Sequence, residues 1–224
     1  MKKILAVAAV CFLFVAVAAA DSFTTYSSRA SFGGNDSLDW SSLGPEGTTV
    51  ASGTTATSVG GVGVTVSNGA GFQLFTEGSI WFGNFAPGDN LLWNQATGPD
   101  TLTFSQGIAG VGFNIQNDYL GSFLATFTLS TGDSFTMSGN GNSANDGSAP
   151  FWGIIDNTGA NITSIVIATN NSQPVNAGAN DFAINSLSLQ TTAVAGVTPE
   201  PASLVLFGTG LLGLGGVLRR RLRK

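Results

Sequence analysis

The stretch Phe123-Leu124-Ala125-Thr126-Phe127-Thr128-Leu129 decides the fold class. Phe123, Ala125, Phe127 and Leu129 alternate with Leu124, Thr126 and Thr128, and a period of two sends the two sets to opposite faces of a strand. The same pattern recurs outward from it. Val62, Val64 and Val66 alternate with Gly63 and Thr65, and Leu102 and Phe104 alternate with Thr101 and Thr103. Ile165 and Ile167 lead into a polar loop. Phe182, Ile184, Leu187 and Leu189 form the last strand, where the slip of phase between Ile184 and Leu187 predicts a bulge. No long stretch of the body repeats apolar residues at the helical spacing.

Turn signals punctuate these runs: Ala86-Pro87-Gly88-Asp89, Gly98-Pro99-Asp100, residues 107–110, Thr131-Gly132-Asp133 and a polar loop over 139–150. Short strands at such intervals predict an all-β domain, an antiparallel β-sandwich or jelly roll, over residues 21–196. The Thr- and Gly-rich stretch 44–61 reads as a long loop or an irregular edge. No internal repeat supports a propeller or solenoid.

Composition closes several functional classes. The 224 residues include no His, so Ser-His-Asp catalysis, a His base and His-ligated metals are excluded. The one Cys, Cys11, lies in an apolar leader, which removes disulfides and thiol chemistry from the body. Charged residues make up 9%, against about 25% in an ordinary domain. The cations crowd the ends, and between residues 21 and 198 Arg29 alone faces twelve acids, for a net charge of −11. Such a body repels phosphates, so nucleic acid is excluded as a partner.

Both ends read as targeting segments. Lys2 and Lys3 precede an apolar run over 4–17, and Ala18-Ala19-Ala20 before Asp21 supplies a small-x-small cleavage site. Residues 1–20 are therefore expected to be a signal peptide, cut between Ala20 and Asp21, with Ala18 and Ala20 as the small residues. At the other end Pro199-Glu200-Pro201 is followed by 17 uncharged residues, 202–218, and then by Arg219, Arg220, Arg221, Arg223 and Lys224. An apolar helix of that length just crosses a bilayer, and its basic flank acts as a cytoplasmic stop-transfer cluster.

This three-part end, residues 197–224, resembles the PEP-CTERM sorting signal. The resemblance implies that a membrane-embedded exosortase recognises Pro199, Glu200 and Pro201 and processes the chain there. It also implies export across the inner membrane of a Gram-negative bacterium, transient anchoring by a transmembrane helix, and arrival at the cell surface or outside it, in cells that make exopolysaccharide and biofilm. The body resembles, more loosely, β-sandwich domains found in front of this signal. The features carrying that likeness are Tyr26-Ser27-Ser28-Arg29-Ala30-Ser31-Phe32, Gly110-Val111-Gly112-Phe113, Ser148-Ala149-Pro150-Phe151-Trp152-Gly153-Ile154 and the closing segment 181–189.

Carboxylates are the only strong acid–base groups left. Glu46, Glu77, Asp89, Asp100, Asp118 and Asp181 could serve a secreted glycosidase, although turn contexts make most of them structural. Calcium is the one plausible cofactor, with Asp181 and Asn185 projecting to one face of a regular strand. Trp81 and Trp93, near a Gly/Pro loop, could stack on sugar rings, with burial in the core as the plainer reading for bulky aromatics. The expectation is a non-enzymatic surface or matrix protein sorted by an exosortase and linked to exopolysaccharide. A lectin-like carbohydrate-binding module is the alternative, and the glycosidase comes third.

Overall fold

The computed structural model describes residues 22–171 and 179–192. The expected signal peptide with Ala18, Ala20 and Asp21, and the C-terminal segment with Pro199, Glu200, Pro201 and the basic cluster, lie outside the described residues. Among the described residues no helix is long and apolar enough to cross a membrane.

Two antiparallel sheets face each other across one core. The six-stranded sheet runs β11 (Ser134–Gly141), β10 (Gly121–Leu129), β13 (Ile162–Asn171), β8 (Asp100–Ile108), β5 (Gly63–Ser67), β4 (Thr54–Thr57). The nine-stranded sheet is built on β9 (Gly110–Asn117). One edge of β9 pairs with β12 (Phe151–Asp156), which in turn pairs with β1 (Phe23–Tyr26). Its other edge pairs with two short strands end to end: β15 (Leu187–Gln190) along residues 110–112 and β14 (Phe182–Ile184) along residues 115–117. From there the sheet forks. β15 continues to β2 (Asp36–Leu38), while β14 continues to β7 (Asn90–Trp93), β6 (Phe72–Thr76) and β3 (Thr49–Val50). Helix among the described residues is limited to α1 (Arg29–Phe32) and a 3-10 turn at Trp40–Leu43.

The alternation in β10 places its side chains as expected: Phe123, Ala125, Phe127 and Leu129 are buried. Phe127 stacks on Trp152 from the opposite sheet at 3.9 Å and 12°, and Phe113 packs edge-on against Phe127 at 5.9 Å. Val64, Val66, Leu102, Phe104, Ile165 and Ile167 complete the six-stranded side, against Val111, Ile115, Ile154, Phe182, Ile184 and Leu189. Interdigitation of two inner faces is how a sandwich buries enough apolar area to be stable.

Three local readings need adjustment. Residues 107–110 form a corner rather than a hairpin turn. The chain leaves β8 at Ile108 and enters β9 at Gly110, passing from one sheet to the other with only Ala109 between. The glycines serve close approach there: a Cβ on Gly107 would run into the carbonyl oxygen of Ala160, and one on Gly110 would lie 2.6 Å from that of Ile154. The phase slip in the last strand is a full break into β14 and β15, which share β9 but lead to different neighbours. The polar loop begins only after Gly141, because residues 139–141 finish β11. The stretch 44–61 holds β3 and β4, each at the edge of a sheet.

Candidate functional site

The loop 77–89 joins β6 to β7, and a buried carboxylate organises it. Glu77 accepts from the backbone N–H groups of Gly83 at 2.9 Å and Phe85 at 3.2 Å. Its burial pushes its pKa up, and those backbone bonds oppose the shift. Further bonds tie the loop down on all sides. Glu77 N–H donates to Asp89 at 3.0 Å, Asn84 N–H donates to Gln116 Oε1 at 2.7 Å, and Ala149 N–H donates to Asn84 at 2.7 Å. Side-chain anchoring of this kind presets a loop, so a ligand meeting it has little ordering entropy to overcome.

The loop lays its aromatic residues against the outer side of β6 and β7. Phe75 stacks on Trp93 at 5.2 Å and 18°, and Trp81 leans on the same Phe75 at 5.9 Å and 38°. Trp81 is 5% exposed and shares a small second core with Phe85, Leu91, Ala149 and Ala183. Phe82, next along the chain, is 66% exposed. A cavity of about 380 Å³ opens here, lined by Phe75, Ile80, Trp81, Phe82, Trp93, Gln116 and Asp118. The tryptophans singled out in the sequence thus lie together, one buried and one half-buried, beside an open cavity.

Two carboxylates accompany the aromatics. Asp181 accepts from the Trp93 indole at 2.8 Å, and the Asp118 backbone N–H donates to the Asp181 carbonyl at 3.0 Å. Burial raises the pKa of Asp118, and the neighbouring charge of Asp181 adds to the effect. Asp181 is raised by burial too, with the Trp93 bond opposing it.

Asp181 and Asn185 have separate partners. Asn185 Oδ1 accepts from the Arg29 guanidinium at 2.9 Å and from Asn114 N–H at 2.8 Å, and Asn185 Nδ2 donates to Asp89 at 2.9 Å. A calcium ion at Asn185 would have to displace a cation already in place. Among the described residues no three His, Cys, Asp or Glu side chains gather to hold a metal.

Arg29 lies across the outer face of the nine-stranded sheet, 5.3 Å above the Phe151 ring. It also donates to Ser188 Oγ at 2.7 Å, the Ser186 carbonyl at 2.9 Å and Asn114 Oδ1 at 3.2 Å. Burial pulls its pKa below the ordinary value, against the opposing pull of Asp89. The one cation of the body therefore bridges the break between β14 and β15.

The remaining acid candidates are structural in their contacts. Glu46 accepts from the N–H groups of Thr76 and Ile80 and from Ser79 Oγ. Asp89 accepts from Ala86 N–H. Asp100, buried at the start of β8, receives Asn68 Nδ2 at 3.4 Å, and burial pushes its pKa up to about 7.

The outward face of the six-stranded sheet is different in kind. Thr55, Thr65, Thr103 and Ser164 lie side by side across four strands, and Ser67, Thr101, Val166, Thr128 and Ser134 across five. Ala168, Thr126 and Thr136 form a third row, and Asn170, Leu124 and Ser138 a fourth. No side chain in these rows carries a charge.

Phe82 and Phe85, like Trp81 and Trp93, stand out in the sequence around this Gly/Pro loop, whereas sequence reasoning missed Phe75 and Gln116 at the cavity and Glu77 as the organiser of its loop. Phe75 follows the alternation of a strand, so nothing local marks it, whereas Glu77-Gly78 is a turn signal that could have been read as a loop anchor. No curated protein and no solved structure matches the chain. Its last residues do match a family model: 197–221 correspond to the PEP-CTERM protein-sorting motif. The chain carries the C-terminal PEP-CTERM signal, which marks an exported protein sorted by a membrane exosortase and held briefly at the membrane on its way to the surface.

Proposed function

We propose that the protein is a non-enzymatic component of the bacterial surface or matrix. The exosortase cuts it at or near Pro199-Glu200-Pro201, and the released body associates with exopolysaccharide. The observation that carries this reading is the charge-free Thr/Ser face of the six-stranded sheet on a body whose net charge is −11. An array of neutral hydroxyls exchanges hydrogen bonds with a hydrated polysaccharide without placing a charge against it. Glu46, Glu77 and Asp89 are occupied in holding loop amides, which weighs against a glycosidase.

Mass spectrometry of the mature protein from cells with and without the exosortase tests the processing. The C-terminal residues 219–224 are expected on the protein only when the enzyme is missing, and an identical C-terminus in both strains overturns the reading. The double variant Thr65→Lys, Thr103→Lys is expected to reduce retention of the protein on the cells' own polysaccharide, and unchanged retention removes the sheet face from the proposal. A second reading, a carbohydrate-binding module, is favoured by the aromatic cavity at Trp81 and Trp93.

A further inference from the structure

The cavity beside loop 77–89 carries more than its aromatic content. Its walls combine a ring surface (Phe75, Trp81, Trp93), an exposed ring at the rim (Phe82), a buried amide (Gln116) and a carboxylate (Asp118). Aromatic faces suit the C–H face of a pyranose, and the polar groups suit its hydroxyls. At about 380 Å³ the cavity sits at the small end of ligand sites, room for roughly one or two sugar rings.

One polar atom here lacks a partner. The indole Nε1 of Trp81 is buried and makes no hydrogen bond, although a buried N–H left unmade is costly and rare. It lies against Gly83 beside Gln116 Oε1, and a side chain at Gly83 would run into both. The other tryptophan of the cavity is satisfied, since Trp93 donates to Asp181. The core tryptophan Trp40 likewise donates to the Asn185 carbonyl at 2.9 Å. Of these three tryptophans, the one without an acceptor is Trp81, in the cavity wall.

The charge of the site narrows the ligand. Asp118 is on the rim and Asp181 stands behind Trp93, while the one cation of the body, Arg29, is engaged with Ser188, Ser186, Asn185 and Asn114. Nothing here neutralises a uronate, sulfate or phosphate group, and two carboxylates oppose one.

We propose that this cavity binds an uncharged pyranosyl segment and discriminates against acidic polysaccharide. Phe82 and Trp93 provide the stacking faces, Asp118 accepts hydroxyl hydrogens at the rim, and the Trp81 indole N–H gains a hydroxyl acceptor when its ring tilts toward the sugar, the anchored backbone of the loop staying in place. The proposal rests on the carbohydrate-binding reading given above, and names its site and its ligand class.

The test titrates the full-length exported protein with neutral hexasaccharides of glucose, mannose and galactose, and with hexasaccharides of uronic acids. The four indole N–H signals are followed by NMR. With at least one neutral sugar the Trp81 and Trp93 signals are expected to shift saturably, while those of Trp40 and Trp152 stay in place. Phe82→Ala, at an exposed position whose loss leaves the core intact, is expected to weaken binding about tenfold, as is Trp93→Ala, and Asp118→Lys should admit the uronic acids. The proposal is overturned if no neutral sugar moves the Trp81 signal, if uronic acids bind as tightly as neutral ones, or if Phe82→Ala binds like the parent. Should an aliphatic detergent monomer displace the sugars or bind in their stead, the site is an apolar docking groove, and the proposal is equally overturned. Retention on the cells' own polysaccharide, measured in parallel on Phe82→Ala, separates the two levels. Retention without sugar binding at the cavity defeats this inference and leaves polysaccharide association standing, whereas absence of both sugar binding and retention in the parent protein defeats both.

Discussion

The two sheets treat their outer faces in opposite ways. On the six-stranded sheet the outward positions are mostly Thr and Ser, with Leu124, Val166 and Asn170 among them, and the strands read as a clean alternation. On the nine-stranded sheet the outer face is itself covered, by α1 on one side and by loop 77–89 with the 142–150 segment on the other. β12 is accordingly buried at every position. Covering a sheet twice leaves polar groups under the cover, and those groups must be bonded. Glu77, Gln116, Asn114, Asn185 and Arg29 meet that requirement with side-chain networks, while Trp81 Nε1, Asn84 Oδ1 and Asn145 Oδ1 are among the atoms that do not. The open face is tolerant and repetitive, whereas the covered face is specific and interdependent.

That contrast can be broken or sharpened by measurement. The largest effect is expected where the two sheets meet. Trp152→Ala removes a side chain that is 4% exposed and stacked on Phe127, and should cost about 4–5 kcal/mol in urea unfolding. A cost under about 1 kcal/mol would mean that the sheets do not share this core.

Next comes the buried carboxylate of Asp100, whose folded pKa of about 7 lies above the ordinary value. The folded state keeps this proton across the interval where the unfolded chain has released it, so its contribution is full below about pH 4 and lost as pH rises through about 7. The span corresponds to something on the order of 4 kcal/mol. Stability should therefore fall from pH 4 to pH 8, and Asp100→Asn should flatten that slope. Glu77, Asp118 and Asp181 are raised in the same direction and leave a residual slope. Parallel curves for the variant and the parent would show that Asp100 is not protonated in the fold.

Arg29→Met tests the covered face directly. It keeps the length of the side chain over Phe151 but removes the donors to Asn114, Asn185, Ser186 and Ser188. A loss of about 2–3 kcal/mol is expected. Thr103→Val on the open face is expected to change stability by less than about 0.5 kcal/mol. If it costs as much as Arg29→Met, the two faces do not differ in the way described.

Legibility in the sequence followed the same division. Strands with one solvated face announce themselves by alternation, so β5, β8 and β10 were readable from their apolar residues alone. Strands covered on both faces lose that pattern, which is why β9 and β12 yield motifs but no clear strand signal. The corner at 107–110 reads as a turn because glycine marks both, and only the neighbouring segments at Ala160 and Ile154 tell them apart. At the cavity Trp81 and Trp93 were visible as rare, bulky residues. Gln116 was not, since one amide in an Asn-, Gln- and Ser-rich chain carries no signal until its neighbours are known.

What the sequence determined by itself is local or compositional: the strand periodicity, the absence of His and of any Cys beyond Cys11, the uneven charge and the sorting motif at 197–221. These follow from residue type and spacing along the chain, and need no partner. Tertiary structure alone decided which residues meet. It set Arg29 against Asn185, sealed Glu77 beneath its loop and left the Trp81 indole without an acceptor, because burial and hydrogen-bond satisfaction depend on which residues the fold packs around each group.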